Sequence, residues 1–101
     1  MSNIININEL QAFYIKMKEQ LRIKNKELEE AHNIIDDMYT HAKKFSKFYD
    51  EGHISEIKYA QTKRELKNVF KYYEGRINKL NKLIPDIEDY INEYEKEYGI
   101  S

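Results

Sequence analysis

The chain has 101 residues, so its function has to fit one small domain. It has no cysteine, which excludes a disulfide framework and a thiolate metal site, and 17 Lys+Arg against 18 Asp+Glu leave a net charge of -1. A pI near 6.3 argues against a dedicated nucleic-acid binder, whose domain is usually strongly basic.

Nine Tyr, four Phe and many Ile make the chain too apolar for a disordered segment, while three Gly and one Pro are too few for a β architecture. Dense charge on long helices is the reading that remains. Residues Met1–Glu9 lack the basic start and extended apolar run of a signal peptide. No stretch approaches the roughly 20 apolar residues that cross a bilayer, so a cytoplasmic protein without a membrane role is expected. Heavy use of Ile, Lys, Asn and Tyr fits an AT-rich coding genome, such as that of a low-GC bacterium or its phages.

The first half carries one apolar series: Ile7, Leu10, Tyr14, Met17, Leu21, Lys24, Leu28, Ala31, Ile35, Met38, Ala42, Phe45, Tyr49. Its spacing alternates three and four without a slip, and only Lys24 departs from the apolar rule. That pattern predicts a helix over about 7–50 with a coiled-coil-type seam. Asn6 is the expected N-cap, with Glu9 three residues on and Ile5 placed to staple against Leu10.

The turn falls at 51–54. Gly52 suits the left-handed conformation that closes a helix, Ser55 suits the next N-cap, and Glu56 suits the positive end of the new dipole. Ile54 and Tyr59 occupy staple positions around that cap. Stop and start signals this close together predict two antiparallel helices.

The second series reads Tyr59, Thr62, Leu66, Val69, Tyr73, Ile77, Leu80, Ile84, Ile87, Ile91, Tyr94, Tyr98. Two spacings of four between Val69 and Ile77 form a stutter, which locally unwinds a supercoil, and Gly75 lies inside it. A second helix over about 55–84 is expected, kinked or broken near Pro85, then a continuation or short third helix over 86–98. The fold class is therefore all-α, a long antiparallel two-helix hairpin, completed by oligomerisation or a partner. The reason is that Phe13, Ile34 and Phe48, with Phe70, Leu83 and Tyr90, widen the apolar stripe beyond what one helix can cover. A homodimer forming a four-helix bundle, or docking onto another protein, would bury them.

Little in the chain points to catalysis. Glu29–His32 forms a Glu-x-x-His sequence, used twice in di-iron bundles with further interior glutamates; here it occurs once and flanks the seam. His41 beside Asp37, and His32 beside Asp36, fit helix-surface pairs. The four serines have no nucleophile context and no Gly-rich loop is present. No enzyme activity, metal or cofactor is expected.

Charge placement says more. From His41 to Lys82 there are eleven Lys/Arg against five acids; from Asp86 to Glu97 there are six acids and one base. The hairpin gathers Lys43, Lys44, Lys47, Lys58, Lys63, Arg64 and Lys67 near the turn, a tip suited to an anionic partner. At the other end Tyr90, Tyr94 and Tyr98 recur every four residues, as packing against the first helix or as a binding strip.

Phe48-Tyr49-Asp50-Glu51-Gly52-His53-Ile54-Ser55-Glu56-Ile57-Lys58-Tyr59 resembles the turn of the short bacterial hairpins called SHOCT domains, a resemblance that implies the turn alone. The size and hairpin shape also resemble the small helical partners of type VII secretion. Those carry Trp-x-Gly in the turn and a Tyr-x-x-x-acid tail; this chain has no Trp, and Tyr94 is followed at that spacing by Tyr98. The leading expectation is a non-catalytic protein–protein interaction module, a small helical adaptor or inhibitor of phage or mobile-element type. Two alternatives stand beside it: a nucleic-acid binder using the basic tip, and a helical secretion partner or structural component.

Overall fold

A computed structural model of the chain describes residues 7–99. Two α-helices, α1 (Ile7–Asp50) and α2 (Glu56–Tyr98), fold back on each other as a hairpin. The molecule is a rod with principal extents of 71 × 31 × 16 Å, close to the ~65 Å that 44 helical residues span. The expected cap at Asn6 and staple residue Ile5 lie outside the described residues.

The turn is built from the signals that marked it. Gly52 takes φ +81°, and its N–H donates to the Tyr49 carbonyl at 3.0 Å while the His53 N–H reaches the Phe48 carbonyl at 2.9 Å. This pair of bonds is a Schellman closure, satisfying carbonyls that the end of α1 leaves free. The accompanying side-chain contact is His53 edge-on to Phe48, with ring centroids 6.3 Å apart. Ser55 then holds an extended backbone (φ -68°, ψ 155°) and its hydroxyl accepts from the Lys58 N–H at 3.2 Å, capping α2.

A Cβ added to Gly52 would meet nothing within 4 Å, so Gly52→Ala tests backbone strain alone. A loss of about 1–2 kcal/mol in unfolding free energy is expected, with helix content unchanged by circular dichroism. Urea titration of the two proteins measures it.

α2 runs through Pro85 without interruption, so residues 86–98 continue α2 and form no third helix. The physical reason lies on the other side of the helix. Leu80, Ile84, Ile87 and Ile91 are all buried and hold one phase past the proline. Pro85 itself is exposed, and so is Asn81, whose carbonyl the proline cannot serve. At its far end Gly99 takes φ 69° and donates to the Glu95 carbonyl.

Burial is unevenly distributed along the rod. The buried residues are Tyr14, Ala31, Ile77, Leu80, Ile84, Ile87, Ile91 and Tyr94. Tyr14, Ile87, Ile91 and Tyr94 form a cluster at the open end, with Leu10, Met17, Leu21 and Tyr90 packed around it. From His32 to Arg76, the half of the rod that contains the turn, no residue is buried. There the seam residues Met38, Ala42, Phe45, Tyr59, Leu66 and Val69 are only half covered. Lys24, the one charge in the first series, is accommodated by chemistry between these regions. Its ammonium lies 3.3 Å from the Glu27 carboxylate, whose Oε2 is also 3.3 Å from Arg76 on α2.

Candidate functional site

Two surfaces flank the seam, one on each broad side of the hairpin. Phe13, Ile34 and Phe48 are spaced by 21 and 14 residues, multiples of seven, so they share one flank of α1. Phe13 meets Tyr90 edge-on, centroids 5.2 Å apart, which puts Tyr90 on that side. Leu83, seven residues before Tyr90, shares it. Ile34 and Tyr72 line a shallow depression of about 280 Å³ with Glu27, Glu30 and Arg76. Phe13, Phe48, Tyr72 and Leu83 on this side are all more than 40% exposed.

Phe70 does not join that flank. It stands twenty residues from Tyr90, about five and a half turns, and so lies on the opposite side of α2. There it packs against Tyr39 at 4.6 Å. Tyr39, Ala42, Leu66 and Phe70 floor an open groove of about 570 Å³, rimmed by Lys63, Lys67 and Lys71 with the single acid Glu74. The lysines recur every four residues, which aligns them along one stripe of α2. The Lys63 ammonium also lies 5.8 Å from the Tyr59 ring. Tyr59 in turn stacks on Tyr49 at 4.1 Å and lies parallel to Phe45 at 5.7 Å.

The basic residues named from sequence divide between the groove and the surface around it. Lys63 and Lys67 line the groove, whereas Lys43, Lys44, Lys58 and Arg64 are exposed elsewhere, and Lys47 lies 3.9 Å from Glu51. Sequence reasoning missed Tyr39 and Lys71. The signal was present as the four-residue spacing of Lys63, Lys67 and Lys71, and in the position of Tyr39 next to seam residue Met38.

The tyrosine strip divides. Tyr94 is buried and stacked on Tyr14 at 4.2 Å, so its ring packs inside the hairpin. Tyr98 stays exposed, tilted against Tyr94. Tyr90 is half buried, and its hydroxyl is enclosed with no hydrogen-bond partner among the described residues. Burial pushes that phenol above its ordinary range.

Tyr14 donates its hydroxyl to the Glu95 carboxylate at 2.6 Å, the bond that ties α1 to the acidic end of α2. That hydrogen bond, helped by burial, raises the Tyr14 phenol from 10.0 to about 12. The folded chain therefore keeps a proton between pH 10 and about 12 that the unfolded chain loses. Stability falls with rising pH across that window, and below it the contribution is complete. Tyr14→Phe is expected to flatten this slope. Urea midpoints of both proteins through the window measure the difference, which separates Tyr14 from the other tyrosines.

Among the described residues no helix is long and apolar enough to cross a membrane, and no three His, Asp or Glu side chains gather as a metal site. No protein-family model matches the chain, no curated protein matches it, and no solved structure matches it.

Proposed function

We propose that this chain is a non-catalytic protein-interaction module, a small helical adaptor or inhibitor of phage or mobile-element type acting in the cytoplasm. The observation that carries the reading is the exposed strip of Phe13, Phe48, Tyr72 and Leu83 along one side of the rod. Apolar side chains set in a charged surface are the usual anchors of protein interfaces, and aromatic ones contribute most. A slender hairpin whose groove at Tyr39 and Phe70 and depression at Ile34 and Tyr72 are both open offers such anchors more readily than an enclosed reaction site.

The test is capture of a host protein by the tagged chain, with mass spectrometry to identify it and light scattering to fix its stoichiometry. The triple variant Phe13→Ser/Tyr72→Ser/Leu83→Ser, checked for helix content, is expected to lose the complex. Equal capture by both proteins, or none by either, sinks the reading.

One observation favours a second reading, nucleic-acid binding. The Tyr39–Phe70 pair beside Lys63, Lys67 and Lys71 combines aromatic faces with a basic rim, the pairing that single-strand binders use. Gel shifts across a salt series separate the two readings, because phosphate-driven binding falls steeply with salt.

A further inference from the structure

The charge segregation noted in the sequence is concentrated in α2. Lys58 to Lys82 holds eight Lys/Arg and two acids; Asp86 to Glu97 holds six acids and one base. The structure places an apolar groove with a lysine rim in the basic stretch. It also leaves His32 to Arg76, the half of the rod that holds the groove, without a buried residue. We propose that the groove side of the hairpin pairs with a second copy of this chain, α2 against α2 and antiparallel, so that the acidic stretch of each copy lies over the lysine-rimmed groove of the other. This deepens the interaction-module reading by naming the occupant of one of its two sides.

The register supports the pairing. Lys67 stands eleven residues from the first residue of α2, and eleven residues from the last stands Ile87, flanked by Asp86, Glu88 and Asp89. Two α2 helices overlapped in full and antiparallel therefore bring Lys63 and Lys67 within a turn of Glu88 and Asp89, and Lys71 within about a turn and a half of Glu88, at both ends at once. The facing is also correct. Glu88 and Asp89 lie eighteen residues beyond Phe70 and Lys71, five whole helical turns, and so point to the groove side. The opposite side, which holds Tyr90 and Leu83, stays free. The parallel alternative sets lysines on lysines and acids on acids, which like-charge repulsion disfavours. A pairing related by a twofold axis uses the same patch on both copies and closes on itself.

Sedimentation equilibrium of the full chain, in low salt and in high salt, tests the proposal. The wild type is expected to dimerise and to dissociate more readily as salt rises. Lys67→Glu/Lys71→Glu and Glu88→Lys/Asp89→Lys, each alone, are expected to raise the dissociation constant by at least about tenfold. Mixed in equal amounts, the two variants are expected to form a one-to-one heterodimer, because each groove then meets an oppositely charged stretch. All four residues are exposed, and circular dichroism confirms that each variant folds. A wild type that stays monomeric at every concentration overturns the proposal. So does either variant dimerising as well as the wild type, or a mixture that fails to pair. A monomer that binds single-stranded DNA through the same lysines assigns the groove to nucleic acid and overturns it as well. None of these outcomes touches capture through Phe13, Tyr72 and Leu83, which is read in a separate assay on the opposite side.

Discussion

Ile91→Ala lowers the unfolding free energy by about 2–5 kcal/mol, whereas Leu66→Ala costs about 1 kcal/mol, as measured by urea titration. The two positions are both seam residues in the sequence, and only the structure separates them. Ile91 is buried in one cluster with Tyr14, Ile87 and Tyr94, where a lost side chain leaves a cavity among close-packed neighbours. Leu66 is half covered and faces the open groove, so truncation there removes surface that water already reaches. Small domains are stable by only about 5–15 kcal/mol, so the Ile91 variant loses a large share of the total. Hydrogen exchange is expected to agree, with slow amides from Ile77 to Tyr94 and faster ones from Met38 to Val69. Dimerisation by the proposed pairing would slow the second set, since it covers the groove.

The architecture was legible because its signals were local and repeated. The series from Ile7 to Tyr49 defined α1, and Gly52 with Ser55 defined the turn; each acts through backbone geometry a few residues away. Pro85 was harder. From sequence it stands as a kink or a break in a series that stays in phase; here four buried side chains from Leu80 to Ile91 hold that phase and the proline is exposed. Tertiary packing outweighed the local penalty.

The surfaces were only half legible. Heptad spacing placed Phe13, Ile34 and Phe48 on one flank of α1, and the structure adds Tyr90 as a contact of Phe13. Phe70 was grouped with them because both flanks of an apolar stripe look alike in a linear sequence. The stutter between Val69 and Ile77 breaks the heptad frame between Phe70 and Tyr90, so seven-residue counting cannot carry a flank across it. Lys24 stood out as an irregularity of the seam; its partner Glu27 is three residues on, but Arg76, which shares that carboxylate, is 52 residues from Lys24 and nothing local predicts it.

Ala31→Leu is expected to destabilise the hairpin by about 1–3 kcal/mol, although leucine is larger, more apolar and an equally good helix former. Ala31 is 2% exposed, the most covered of the buried residues, and it is the smallest of them. A small side chain so fully covered marks a level where the backbones come close, and three added carbons there must displace a neighbour. Ile77, one of the buried residues of α2, lies just past the stutter, where the facing seam is already adjusted. Thermal and urea unfolding of the variant measure the loss. Ala31→Ser, nearly the same size, serves as the control for polarity rather than volume. A neutral result for leucine would mean that its side chain turns outward into the shallow depression lined by Ile34, Tyr72 and Arg76, beside the proposed docking strip. That outcome would be visible as weaker partner capture without a loss of stability. The position matters beyond its own packing, because no residue from His32 to Arg76 is buried. Ala31 is thus the last closed contact before the half that carries the groove, and prising the helices apart there frees the turn-proximal half to open first.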